Sequence, residues 1–142
     1  MMPIRPENRS RYPADWKLRS RFVRFVRARG KCEWCGVTQY AIVERGSGRV
    51  IDGGPFSTYA DARQALADRY ASTFGLDADE PSPWSIVVLT TAHVFDDRPE
   101  ASGLLNLAAL CQKCHNGHDM KARIAGRKER AESASGQARM FA

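Results

Sequence analysis

The sequence predicts an α+β domain in which a short apolar hairpin and its following helix are stapled by one four-cysteine metal site. Three observations carry this reading. All 4 cysteines of the 142-residue chain fall in two C-x-x-C pairs, Cys32/Cys35 and Cys111/Cys114. Two apolar runs, the β-branched SIVVLTTAHV (85–94) and the shorter LLNLAAL (104–110), read as strands. Helical spacing of apolar residues recurs over 15–30, 58–74 and from near Cys114 onward. Thiolates at two short spacings suit a closed tetrahedral zinc site, with the metal joining segments distant in sequence. A disulfide framework would need an oxidising compartment, and the N-terminal MMPIRPENRSRYP lacks an apolar export run. A thioredoxin-like redox pair would explain one C-x-x-C and leave the other.

Taken in order, residues 1–14 read as a mobile basic arm, rich in Pro and Arg. A helix follows, with Asp15 as N-cap and its end at Gly30, burying Trp16, Phe22, Val23 and Val26. Its opposite side carries Arg21, Arg24 and Arg27, a candidate DNA-contact face. CEWCG forms a zinc knuckle in which Gly36 permits the tight turn. Residues 37–85 bear no chemical motif and read as an insertion. Within it, YAIVERGSGRVI (40–51) predicts a hairpin turning at Gly46-Ser47-Gly48. A helix from near Thr58 to Phe74 places Ala62, Leu66, Tyr70 and Phe74 on one face, and LDADEPSPW is a loop. The core resumes over 86–130: a buried strand delivering His93 at its end, a loop marked by Pro99, Ser102 and Gly103, a second strand, and a helix from near Cys114 through Met120 and Ile124 towards Arg130. A small, polar tail over 133–142 is expected to fray.

The whole chain, 1–142, reads as a single domain. No stretch approaches the ~18–20 apolar residues that span a bilayer, so a soluble, cytoplasmic protein with no membrane partner is expected. The net charge is +6, and its distribution matters more than its size. Arginines and lysines crowd residues 5–31 and 113–130, whereas the middle, with Asp61, Asp68, Asp77, Asp79 and Glu80, is acidic. One zinc joining the two basic ends would create a single positive face for a phosphate backbone.

The second cysteine pair is preceded by His93 and Asn106 and followed at once by His115. This register, with the cysteine pairs, resembles the HNH endonuclease family in its zinc-holding subset. The resemblance covers Cys32–Cys35 and roughly residues 86–128, less than half of the chain. It implies a ββα-metal core, hydrolysis of DNA, most simply double-stranded, and a catalytic divalent cation such as Mg²⁺ beside the structural Zn²⁺. It further implies that His93 is the general base, that Asn106 fixes the loop carrying it, and that His115 is a ligand of the catalytic cation. The chain departs from the family pattern at Ala92, where an Asp or His commonly supplies a second ligand. Asp119, four residues after His115, would share its helix face. Asp96 and Asp97, on the loop after His93, are the other candidates, and His118 falls one residue short of the helical spacing. The rival reading is a zinc-stabilised DNA-binding module with a weak or lost cation site. A zinc-held protein adaptor would draw on the insertion alone.

Overall fold

The computed structural model describes residues 4–140. It is a mixed α+β structure of two small antiparallel sheets, one two-stranded and one three-stranded, with helices around them. Strands β4 (Thr90–His93) and β5 (Leu107–Leu110) pair in the register Thr90↔Leu110, Ala92↔Ala108 and His93↔Leu107. Every residue of β5 is buried, so this hairpin is packed on both faces. Ala108 and Leu110 face one cluster with Cys32, Ala41, Val87, Leu89, Ala92 and Cys111. Leu107 and Ala109 face another, closed by Val23, Trp16 and Ala28. Strand alternation therefore divides β5 between the cysteine side and the N-terminal helix.

That helix, α1 (Trp16–Arg21), runs directly into a π-helical segment (Phe22–Arg27). Its widened turn is visible in the hydrogen bond from the Ala28 amide to the Val23 carbonyl, 3.0 Å. The extra residue per turn shifts the inward face. Val23 is wholly buried, but Phe22 and Val26 are 42% and 63% exposed, against the expectation that all three face the core. Asp15 sits at the N-cap position without capping a backbone amide, and its carboxylate pairs with Arg19 instead. The helical geometry stops at Arg27, short of Gly30, and Arg29 (φ 55°) and Gly30 (φ 72°) turn the chain into the knuckle.

The arm expected to be mobile is folded from Pro6 to Arg11 as a 3-10 turn, and residues 1–3 lie outside the described range. Arg11 binds both carboxylate oxygens of Glu100, and Tyr12 packs on Trp16 with ring centroids 4.9 Å apart.

The segment 37–85 holds the predicted hairpin, β1 (Ile42–Glu44) and β2 (Val50–Asp52), and helix α2 (Tyr59–Phe74). Thr58 caps α2 by accepting from the Asp61 amide, 3.1 Å. Of its expected inner face, Ala62 is fully buried and Phe74 remains 40% exposed. The run read as one strand over 85–94 is divided: Trp84–Ile86 forms β3 beside β1, and β4 begins at Thr90. Trp84, expected in a loop, starts β3 because it packs on Phe74 and pairs with Glu44. The insertion touches the core helix at one tight point. Lys113 donates to the Ser47 carbonyl at 2.6 Å, and a Cβ on Gly48 would come within 2.8 Å of the Lys113 side chain.

Helix α3 runs from Gln112 to Met140. It thus begins before Cys114 and continues past Arg130 through the segment expected to fray; residues 141–142 lie outside the description. Among the described residues no helix is long and apolar enough to cross a membrane.

Arg27 belongs to the scaffold and not to a free basic face. It forks onto Glu33 at 2.9 and 3.1 Å, and donates to the carbonyls of Leu104 (2.6 Å) and Leu107. Arg27→Ala would strand two backbone carbonyls and is expected to cost about 2–3 kcal/mol in urea unfolding. Arg21→Ala, at an exposed position, should stay within about 0.5 kcal/mol of wild type.

Candidate metal centre and histidine cleft

The knuckle brings Cys32 and Cys35 to the start of α3, where Cys111 and Cys114 lie one turn apart. One sulfur from each of the four lies within 4.8 Å of all the others. The Cys35 and Cys111 sulfurs are 3.6 Å apart. A disulfide would hold them near 2.05 Å, whereas a tetrahedral zinc with ligands at about 2.3 Å sets sulfur separations of about 3.8 Å. Four soft donors with closed geometry fit a structural metal such as zinc.

The protonation balance of the cluster agrees. Burial pushes the Cys32 thiol up, but the backbone amides of Cys35, Cys111 and Trp34 turn towards its sulfur and bring the net value down to about 7. Cys111 is raised by burial, and Cys114 is raised well above the ordinary thiol range by burial and by its sulfur neighbours. Cys111 and Cys114 thus resist ionisation unaided, and a divalent metal held there would supply the missing positive charge.

Beyond this centre lies an open cleft of about 580 Å³ between α1 and α3, floored by β4. His93, from the end of β4, and His115, from the first turns of α3, both line it, as does Asp119. The His93 ring is held on several sides. Trp16 stacks on its face, with centroids 5.3 Å apart and planes within 15°, and Tyr12 approaches at 6.0 Å. Its Nε2 lies 3.0 Å from the Ser102 hydroxyl. Burial lowers the pKa of His93, with Asp96 and Asp97 pulling it back in part. The imidazole is therefore neutral at neutral pH, as a proton acceptor must be.

Asn106 hydrogen-bonds the loop that follows His93. Its Oδ1 accepts from the amides of Phe95 (2.9 Å) and Asp96 (3.0 Å), and its Nδ2 donates to the carbonyls of Asp96 (2.7 Å) and Ala101 (2.6 Å). One side chain thus closes the loop that follows His93 from both ends.

His115 places Nδ1 2.9 Å from the Thr90 hydroxyl and Nε2 3.7 Å from the Asp119 carboxylate. Of the competing carboxylates, Asp96 is engaged by Arg98 at 2.6–3.1 Å, which holds its carboxyl down to about 2. Asp97 lines a separate shallow depression with Arg123, Arg127 and Arg130. Asp119 is the one that shares the cleft with both histidines. His118 packs edge-on against Trp34 of the knuckle, centroids 5.6 Å apart, a structural contact away from the cleft. Ala92 is 3% exposed and packs in the core cluster, paired with Ala108.

Lys17, Arg21 and Arg24 line the cleft from the N-terminal helix and Arg123 from α3. Lys17, Arg21 and Arg123 make no ion pair among the described residues, in contrast to Arg11, Arg19 and Arg27. Of the three arginines expected to face DNA, Arg21 and Arg24 reach the cleft and Arg27 does not.

Comparison of the chain with protein-family models, with curated proteins and with solved structures finds no match. The site rests on its own geometry.

Removing the metal tests the cysteine centre directly. Protein purified without chelator is expected to carry one zinc per chain by elemental analysis. Cys111→Ala, or incubation with a strong chelator, should remove it and abolish the cooperative melt, because metal binding and folding are coupled in such sites.

Proposed function

We propose that the protein is an HNH-type endonuclease that hydrolyses DNA phosphodiester bonds, with β4, β5 and α3 as its ββα-metal unit. The single observation carrying this is the convergence of His93, His115 and Asp119, from two different elements, on one cleft edged by Lys17, Arg21, Arg24 and Arg123 beside a four-cysteine centre. In this reading Cys32, Cys35, Cys111 and Cys114 hold a structural zinc, and His115 with Asp119 hold a catalytic divalent cation such as Mg²⁺. When bound, that cation polarises the phosphate and stabilises charge on the leaving oxygen.

The chain's own residues supply the rest. His93, kept neutral by burial under Trp16, takes the proton of the attacking water. Asn106 holds the backbone after His93, so the ring does not drift from the scissile phosphate. Lys17, Arg21, Arg24 and Arg123 track the phosphate backbone on either side of the cut. Such contacts favour sequence-independent binding, since they address phosphates and leave base edges unread.

A second reading, a DNA-binding module without turnover, draws on Ala92. Its methyl is packed in the core, so the ligand set for a cation is the two side chains of α3. Incubation of the zinc-loaded protein with supercoiled plasmid and Mg²⁺, Mn²⁺ or Ni²⁺ separates the two. Nicked or linear product that disappears in His93→Ala, with zinc content and DNA affinity retained, supports the nuclease. An uncut plasmid under every cation leaves the binding module.

Three further outcomes are expected. His115→Ala and Asp119→Ala should lose cleavage together and recover part of it at high cation concentration. Lys17, Arg21 and Arg123 replaced together by Ala should weaken binding of all sequences alike and reduce the salt slope by up to about one per lost phosphate contact. The acid limb of the cleavage rate should fall below the ~6.5 of a free imidazole, because the folded state disfavours the His93 proton. By the same sign, the stability contributed by neutral His93 is present above that value and is lost as pH falls through the lower folded pKa.

A further inference from the structure

We infer that Ser102 is a positioning residue that locks His93 in the tautomer bearing its proton on Nε2, leaving Nδ1 as the atom that accepts the proton from water. The inference deepens the nuclease reading and rests on it for the role of Nδ1. It stands on hydrogen-bond accounting at one buried hydroxyl.

Ser102 is 1% exposed, in the loop between β4 and β5. Its Oγ lies 2.7 Å from the Pro99 carbonyl and 3.0 Å from His93 Nε2. A serine hydroxyl has one proton to give, and a carbonyl can only accept. The proton must therefore point at Pro99, since two acceptor oxygens at 2.7 Å would otherwise repel in a site closed to water. Towards His93 the hydroxyl can then only accept, so Nε2 carries the ring proton.

The hydroxyl itself is not free to move. The Ser102 carbonyl accepts from Arg19 at 2.8 Å, tying the loop to α1. The preceding Ala101 carbonyl accepts from Asn106 at 2.6 Å, tying it to β5. Trp16 covers a face of the ring, and a half-turn about Cβ–Cγ would keep that stack but carry Nε2 away from the Ser102 hydroxyl. A neutral imidazole with Nε2 protonated has its one lone pair on Nδ1. Face, edge and Nε2 are occupied, and Nδ1 is the atom left for chemistry. The two histidines of the cleft then act through different nitrogens, His93 through Nδ1 and His115 through the Nε2 beside Asp119.

The test is long-range ¹H–¹⁵N correlation on histidine-labelled, zinc-loaded protein without DNA or added cation, at a pH where the rings are neutral. Wild-type His93 is expected to give the pattern of a single Nε2–H tautomer. Ser102→Ala should relax it to a mixture and lower kcat for plasmid about 10–100-fold, with zinc content and DNA affinity retained. Ser102→Thr, which keeps the hydroxyl, should restore both the tautomer and the rate. An Nδ1–H pattern in wild-type protein, or an unaltered pattern in folded Ser102→Ala, overturns the inference whatever the variants do to folding. Plasmid left uncut by wild-type protein that shows the expected tautomer would instead remove the nuclease reading, with the role of Ser102 in fixing the ring intact.

Discussion

Four sulfur atoms meet within 4.8 Å of one another, and this junction ties the two ends of the sequence together. They join a knuckle that ends α1 to the first turn of α3, although 76 residues separate Cys35 from Cys111. Trp34 of the knuckle also packs on His118 of α3, and the cleft is the space between α1 and α3. The charge pattern gains its meaning from the same junction. Basic side chains from opposite ends of the sequence become two walls of one groove, with the acidic middle of the chain folded elsewhere. A chain of this size buries a modest core, and a metal held by the four cysteines would fix a separation that hydrophobic contacts alone leave loose.

The hairpin between those walls is built for rigidity. β5 is buried on both faces, and Asn106 at its start satisfies four backbone groups of the loop that follows His93. Arg27 and Arg19 reach from the N-terminal helix to carbonyls of the same region. Arginines that a linear reading assigns to a partner are thus divided by geometry, some neutralised inside the fold and others left facing the groove. The π-helical segment contributes to that division, because one extra residue in a turn changes which side chains point inwards.

Much of the centre was legible in the residues themselves. The cysteine pairs have a spacing that only a few chemistries use, and the hairpin at Gly46–Gly48 and the Thr58 cap follow from local turn and cap preferences. His93 and His115 were placed by pattern, and the structure brings both to one cleft. What escaped was whatever depends on packing at a distance. Trp84 joins a strand because Phe74 and Glu44 receive it, and nothing local in a Pro- and Ser-rich stretch signals that. The apolar run 85–94 carries no break where it changes sheets, since β-branched residues suit both. Phe22 and Val26 obey helical periodicity and still face outwards, because the periodicity assumed is that of an α-helix. Ser102 looked like loop punctuation. Its hydroxyl matters only once Pro99 and His93 are set on either side of it, and no spacing rule anticipates that pairing.

The inserted segment enters and leaves the core at adjacent points. The Tyr40 amide donates to the Val87 carbonyl at 2.8 Å, and the Val87 amide donates to the Ala41 carbonyl at 2.9 Å. Its ends are therefore stitched together beside the cysteine centre. Closing a longer or shorter excursion at that neck changes the entropy only logarithmically with its length. The neck itself belongs to the core, with Ala41 and Ile42 buried there, so changes of length fall on the outer turn and on α2. The Lys113–Ser47 contact ties the segment's hairpin turn to the core helix through the far end of one flexible side chain.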